Sequence, residues 1–141
     1  QAAECFEIIF NKAKFDALGG FDEHFPYDAW DDHEFGLRWV DSGGYSRFVA
    51  AAVAIHRHAV SFEERCVAMA RAGESARVLE RLHSGREHGW HAILHRGRQP
   101  PRPRPEPGAP MHDWIAFHSE QFDAAFRRGY FGKPGEGAET L

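Results

Sequence analysis

Cysteine is scarce in this chain: Cys5 and Cys66 are the only two, far apart and in no metal-ligand spacing. That usage is what a reducing compartment leads one to expect. No apolar run approaches the roughly 20 residues of a membrane span, and no signal-peptide pattern is present. Excess charge of one sign is missing too, with a formal charge of −4 and an isoelectric point near 6.2. Nucleic acid is therefore not an expected partner. No internal repeat divides the chain. We expect a cytoplasmic protein, the inner face of the membrane included, with no transmembrane segment here. The first residue is Gln1 rather than Met, so a piece of something longer is expected.

What is present suffices for one compact domain: 141 residues, 43% of them hydrophobic. Cys5 to Phe10 is short, β-branched and aromatic, the pattern of a buried strand. Asn11 is placed to cap a short helix over Lys12 to Leu18, with Gly19 where a left-handed residue is wanted. A second helix is expected from Asp31 to Ser42, opened by a capping box in which Asp31 replaces Ser or Thr and Glu34 answers it. Strands follow at Tyr45 to Val49 and Val53 to His56. Ser61-Phe62-Glu63-Glu64 is a capping box for a third helix, and Ser75 to His83 reads as a fourth. These elements predict an α/β fold, a small mixed sheet with helices packed on it.

Residues 97–110 carry prolines and arginines in alternation, the composition of an extended, polyproline-like linker. Arg98, Arg102 and Arg104 read as solvated, or as contacts to acidic lipid or a partner. Trp114, Ile115, Phe117, Phe122, Phe126 and Tyr130 follow at the spacing of an amphipathic helix over Met111 to Arg128, and Gly132 to Leu141 reads as a frayed tail. The expected domains are 1–96, the linker 97–110, and 111–141.

The densest chemistry lies between residues 18 and 38. Leu18-Gly19-Gly20-Phe21-Asp22-Glu23 runs into an aromatic loop, then into Trp30-Asp31-Asp32-His33-Glu34-Phe35-Gly36-Leu37-Arg38. Crowded carboxylates repel, and a fold keeps them where a cation, a hydroxyl or a helix N-terminus uses the charge. Gly19 and Gly20 let backbone approach a sugar or phosphate closely. Trp30 offers a face for a sugar ring.

In this order, the strand, Asn11 with a basic neighbour, the Gly-Gly-Phe-Asp-Glu block, the acidic pair with x-Glu-Phe-Gly-x-Arg, a Gly-Tyr strand and a second strand ending in His resemble one family. Residues 5–83 look like the C-terminal, acceptor-side half of a family 2 glycosyltransferase of the GT-A fold. The resemblance implies transfer of a sugar from a nucleotide-sugar donor to a hydroxyl of a carbohydrate, lipid or protein acceptor, with inversion. It places the general base on Asp32 and its partner on Asp31, where the family carries Glu. It puts a metal ligand on His56, with His58 beside it; around the acidic pair, the residues themselves offer Gly19, Gly20, Trp30, Glu34 and Arg38 as substrate contacts. It implies Mn²⁺ or Mg²⁺ as cofactor. No Asp-x-Asp and no Gly-rich nucleotide-binding turn precede the Gly-Gly block, so the resemblance implies a separate N-terminal nucleotide-binding half.

Plainer explanations stand beside each assignment. Asp31, Asp32 and Glu34 suit a helix N-terminus for their charge alone. Gly19-Gly20 serves as a helix C-cap, Arg38 pairs with Glu34 at i,i+4, and Trp30 anchors a loop. Two other functions fit the residues: a non-catalytic sugar- or protein-binding module on the same fold remnant, and a metal-binding protein built on His56, His58, His88, His91 and His95.

Overall fold

The computed structural model describes residues 9–53, 57, 59–95 and 101–132. Five helices run through them: α1 (Lys12–Ala17), α2 (Asp31–Asp41), α3 (Phe62–Leu82), α4 (His91–His95) and α5 (Met111–Phe131). Among the described residues there is no strand, which overturns the α/β expectation. Tyr45–Val49 is not strand. Tyr45 and Phe48 in it are 83% and 91% exposed. A strand is completed by a neighbouring ladder, and β-branched and aromatic composition cannot supply one. Most of the other two expected strands, Cys5–Phe10 and Val53–His56, lies outside the described residues. None of the five helices is long and apolar enough to cross a membrane.

The chain forms two compact units, Gln1–Ala59 and Val60–Leu141. In the first, Asn11 caps α1 as its sequence predicts, its side chain accepting from the Lys14 N–H at 3.1 Å. Gly19 follows at φ +84°, a conformation other residues resist. The core of this unit is aromatic. Phe35 of α2 is fully buried, with Phe10, Phe15 and Phe21 at centroid distances of 4.9, 4.9 and 5.5 Å. Burying one such ring is worth about 1.5–3 kcal/mol. Trp39, four residues on, extends the same face and lies under the Lys14 ammonium at 4.6 Å. Its indole N–H donates to the Tyr45 carbonyl at 3.2 Å.

In the second unit the two expected helices over residues 61–83 are one, α3. Its capping box is complete: the Ser61 hydroxyl accepts from the Glu64 N–H, and the Glu64 carboxylate accepts from the Ser61 N–H. Gly73 does not break it. A helical glycine costs about 1 kcal/mol against alanine, and here α5 takes the vacated space. A Cβ at Gly73 would collide with the Phe126 carbonyl, and one at Gly129 with the Ala70 carbonyl. The helices thus cross backbone to backbone at two reciprocal glycines.

Contacts between α3 and α5 advance together. Phe62 stacks on Phe117 at 5.6 Å, Gly73 meets Phe126, and Arg77 donates to the Gly132 carbonyl at 2.8 Å. The two helices therefore run parallel, and the connection must climb back along α5. From Arg127, which bonds the Ile93 carbonyl of α4, to Met111 is about 24 Å of helix. Residues 101–106 run along that path, and a turn follows in which the Ala109 N–H donates to the Glu106 carbonyl at 3.0 Å, with Gly108 at φ +90°. Arg102 grips Glu120 with its backbone N–H and guanidinium, at 2.9 and 2.7–2.9 Å, and Arg104 lies over Trp114 at 5.7 Å. The expected spacer is thus a strap fastened to α5.

Candidate functional site

The residues singled out between 18 and 38 all fall in the first unit. Arg38 ties them together. It stands one helical turn beyond Glu34, so the two side chains meet on one face of α2. Its Nε donates to both Glu34 carboxylate oxygens at 2.8 Å, and Nη2 to Oε2 at 2.6 Å. The remaining donors leave the helix: Nη1 donates to the Leu18 carbonyl, and Nη2 to the Gly20 carbonyl at 2.7 Å. These are carbonyls at the end of α1, which the helix itself cannot satisfy. The guanidinium also lies over the Phe35 ring at 5.2 Å. Glu34 is only 3% exposed. A buried charge is kept when it is paired and hydrogen-bonded throughout, and Arg38 provides this.

The expected capping box at Asp31 does not form. The N-cap is Trp30, at φ +72°, and no side chain caps the helix there. Asp31 is the first helical residue, and Glu34 cannot reach back because its carboxylate belongs to Arg38. Trp30 is the one non-glycine residue with positive φ among those described, which costs about 1–2 kcal/mol. Its carbonyl opens the helix, accepting from the Glu34 N–H at 2.8 Å. Its ring edge meets His33 at 6.0 Å. The Asp32 carboxylate accepts from the His33 N–H at 2.7 Å.

Three carboxylates thus occupy one helical turn in different environments. Glu34 is buried and forked to Arg38, while Asp31 and Asp32 are half-exposed at the helix N-terminus. Arg38 is seven residues from Asp31, about 10 Å along the axis. The structure brings Gly20, Glu34 and Arg38 into direct contact, and puts Trp30, Asp31 and Asp32 at the other end of the same helix. Gly20 is at φ +69°, and a Cβ there would press on the Phe15 ring at 3.3 Å.

One pairing escaped the sequence reading. Asp22 accepts from the His24 backbone N–H at 2.9 Å, and its Oδ1 lies 2.6 Å from the His24 ring Nδ1. The backbone bond first, then the ring contact, holds the Asp22 carboxyl below its ordinary range. The Asp-x-His spacing was the available signal, since an Asp side chain folds onto the amide two residues ahead.

His56 and His58 lie outside the described residues. His88 stacks flat on Trp90 at 4.2 Å, and His91 approaches Glu80 at 3.8 Å. Among the described residues no three or more His, Cys, Asp or Glu side chains group to hold a metal. These residues therefore do not by themselves form a site for the divalent cation the resemblance implies. Compared with protein-family models, curated proteins and solved structures, the chain finds no significant match in any of the three.

Proposed function

We propose that the first unit is the acceptor-side part of an inverting, nucleotide-sugar-dependent glycosyltransferase. The observation that carries the reading is the sorting of the carboxylates on α2. Glu34 is consumed by the fold, whereas Asp31 and Asp32 are held half-exposed on a helix clamped to the Gly-Gly loop. A general base needs that combination: an accessible carboxylate on a rigid element, aimed by its neighbours. Asp32 takes the proton of the acceptor hydroxyl as its oxygen attacks the anomeric carbon of the donor sugar. The bond from that carbon to the diphosphate oxygen breaks, and the nucleoside diphosphate leaves with the electron pair. Asp31 orients the hydroxyl, and Trp30 offers a face to the sugar ring. Mn²⁺ or Mg²⁺ belongs to this reading with ligands from beyond the described residues, and the nucleotide-binding half lies elsewhere in the protein. Nucleotide sugar as donor is consistent with a cytoplasmic site.

The test uses the whole protein that carries this chain. Incubated with UDP-, GDP- and dTDP-sugars and octyl β-D-glucoside as acceptor, it should release nucleoside diphosphate. Asp32→Asn should lose about 10²–10⁴-fold in kcat with its circular dichroism unchanged. No release from any donor, or full activity in Asp32→Asn, would overturn the reading. Binding of a glycan without turnover would favour the non-catalytic module.

A further inference from the structure

The clamp on the Gly-Gly loop has a chemical consequence at the next residue. The Gly20 carbonyl points at the Arg38 guanidinium. In a trans peptide the C=O and the following N–H point in opposite directions, and no peptide in the described residues is cis. The Phe21 N–H is therefore turned away from Arg38, and it makes no hydrogen bond among the described residues. Nothing else about Phe21 is loose. Its ring is fixed against Phe15 at 5.3 Å and Phe35 at 5.5 Å. A backbone donor is thus held in a fixed direction by the half-buried Glu34–Arg38 ion pair and by the aromatic core.

We propose that Arg38, with Glu34, is a positioning residue that presents the Phe21 N–H to a hydroxyl oxygen of a neutral carbohydrate acceptor. The inference rests on the glycosyltransferase reading and reassigns Glu34 and Arg38 from contacting substrate to acting through this peptide. The charge around the donor selects the ligand. Asp22 follows directly, held ionised, with Glu23 exposed beside it. An anionic diphosphate would be repelled there, while a sugar hydroxyl both accepts from an N–H and donates to a carboxylate. Both ends of α2 then serve one purpose. Its N-terminus carries the carboxylates, and Arg38, two turns on, sets the loop at a fixed distance from them.

Two measurements on the whole protein decide it. In Arg38→Lys the charge remains but the fork is lost. The KM for octyl β-D-glucoside should rise about 3- to 10-fold, the worth of one hydrogen bond, while kcat and the donor KM move less. An active wild type whose acceptor KM is the same in Arg38→Lys overturns this proposal and leaves the glycosyltransferase reading standing. A wild type that releases no nucleoside diphosphate overturns both. Should Arg38→Lys fail to fold, the wild-type amide spectrum still decides: the Phe21 N–H resonance should shift as octyl β-D-glucoside is added. An unmoved Phe21 resonance at saturating glucoside refutes the assignment.

Discussion

Gly129→Ala sets two physical effects of opposite sign against each other. Helix propensity alone favours alanine by about 1 kcal/mol. The structure opposes it, because the new methyl would lie well inside contact of the Ala70 carbonyl of α3. Restoring an ordinary separation of about 3.5 Å means parting the helices by more than 1 Å at their closest point. A gap of that size forfeits a quarter to a half of the dispersion energy of the groups lining it. Phe126, fully buried at this crossing, has about 2–3 kcal/mol at stake. Strain from overpacking adds about 1–3 kcal/mol. The net expectation is a loss of about 0.5–3.5 kcal/mol, or up to about 25 °C in Tm for a unit of this size. Urea unfolding followed by the fluorescence of Trp90 and Trp114 measures it. Gly73→Ala should behave alike. The double variant should cost less than the sum, since helices already parted accommodate the second methyl. A Gly129→Ala protein as stable as wild type would refute the backbone contact.

Three further outcomes follow from single groups. Ser75 is fully buried and its hydroxyl has no hydrogen-bond partner among the described residues, so Ser75→Ala should raise stability by about 0.5–1.5 kcal/mol in the same urea assay. The Tyr130 phenol is pushed up to about 12, by burial first and then by donating to Glu80. It ionises more easily in the unfolded chain, so its contribution is complete below pH 10 and lost as pH rises toward 12. Absorbance at 295 nm should show one late-titrating tyrosine, absent in Tyr130→Phe. Bonds from Arg102 hold the Glu120 carboxyl below its ordinary value. Their stabilisation is present above the ordinary carboxylate range and lost as pH falls below it. Trp114 fluorescence should therefore change on acidification in wild type and not in Arg102→Ala.

Local rules were legible in the sequence where the structure obeys local physics. Asn11, Gly19 and the Ser61–Glu64 box act within four residues of themselves, and all three stand as their pattern predicts. The pattern misled where a distant partner decided the outcome. Asp31 looked like a cap, but Arg38 had already claimed Glu34. Residues 61–83 looked like two helices because the packing of Phe126, far along the chain, against Gly73 was not visible. Tyr45 to Val49 has strand composition, and composition carries no information about whether another strand lies alongside. In the candidate site the carboxylate cluster was plain, but its division into one buried and two half-exposed groups was not. That division depends on which side of α2 faces the aromatic core.

The strap over 101–110 acts as a ruler. Arg102 fastens it to Glu120 of α5, Pro110 leads into the first turn of the same helix, and its prolines resist coiling. Deleting two of its residues would shorten it by about 6 Å, roughly one helical turn. Arg102 would then be drawn out of register with Glu120, and the grip between them lost. Many substitutions along this segment should therefore be neutral, while a change in its length should undo its fastening to α5.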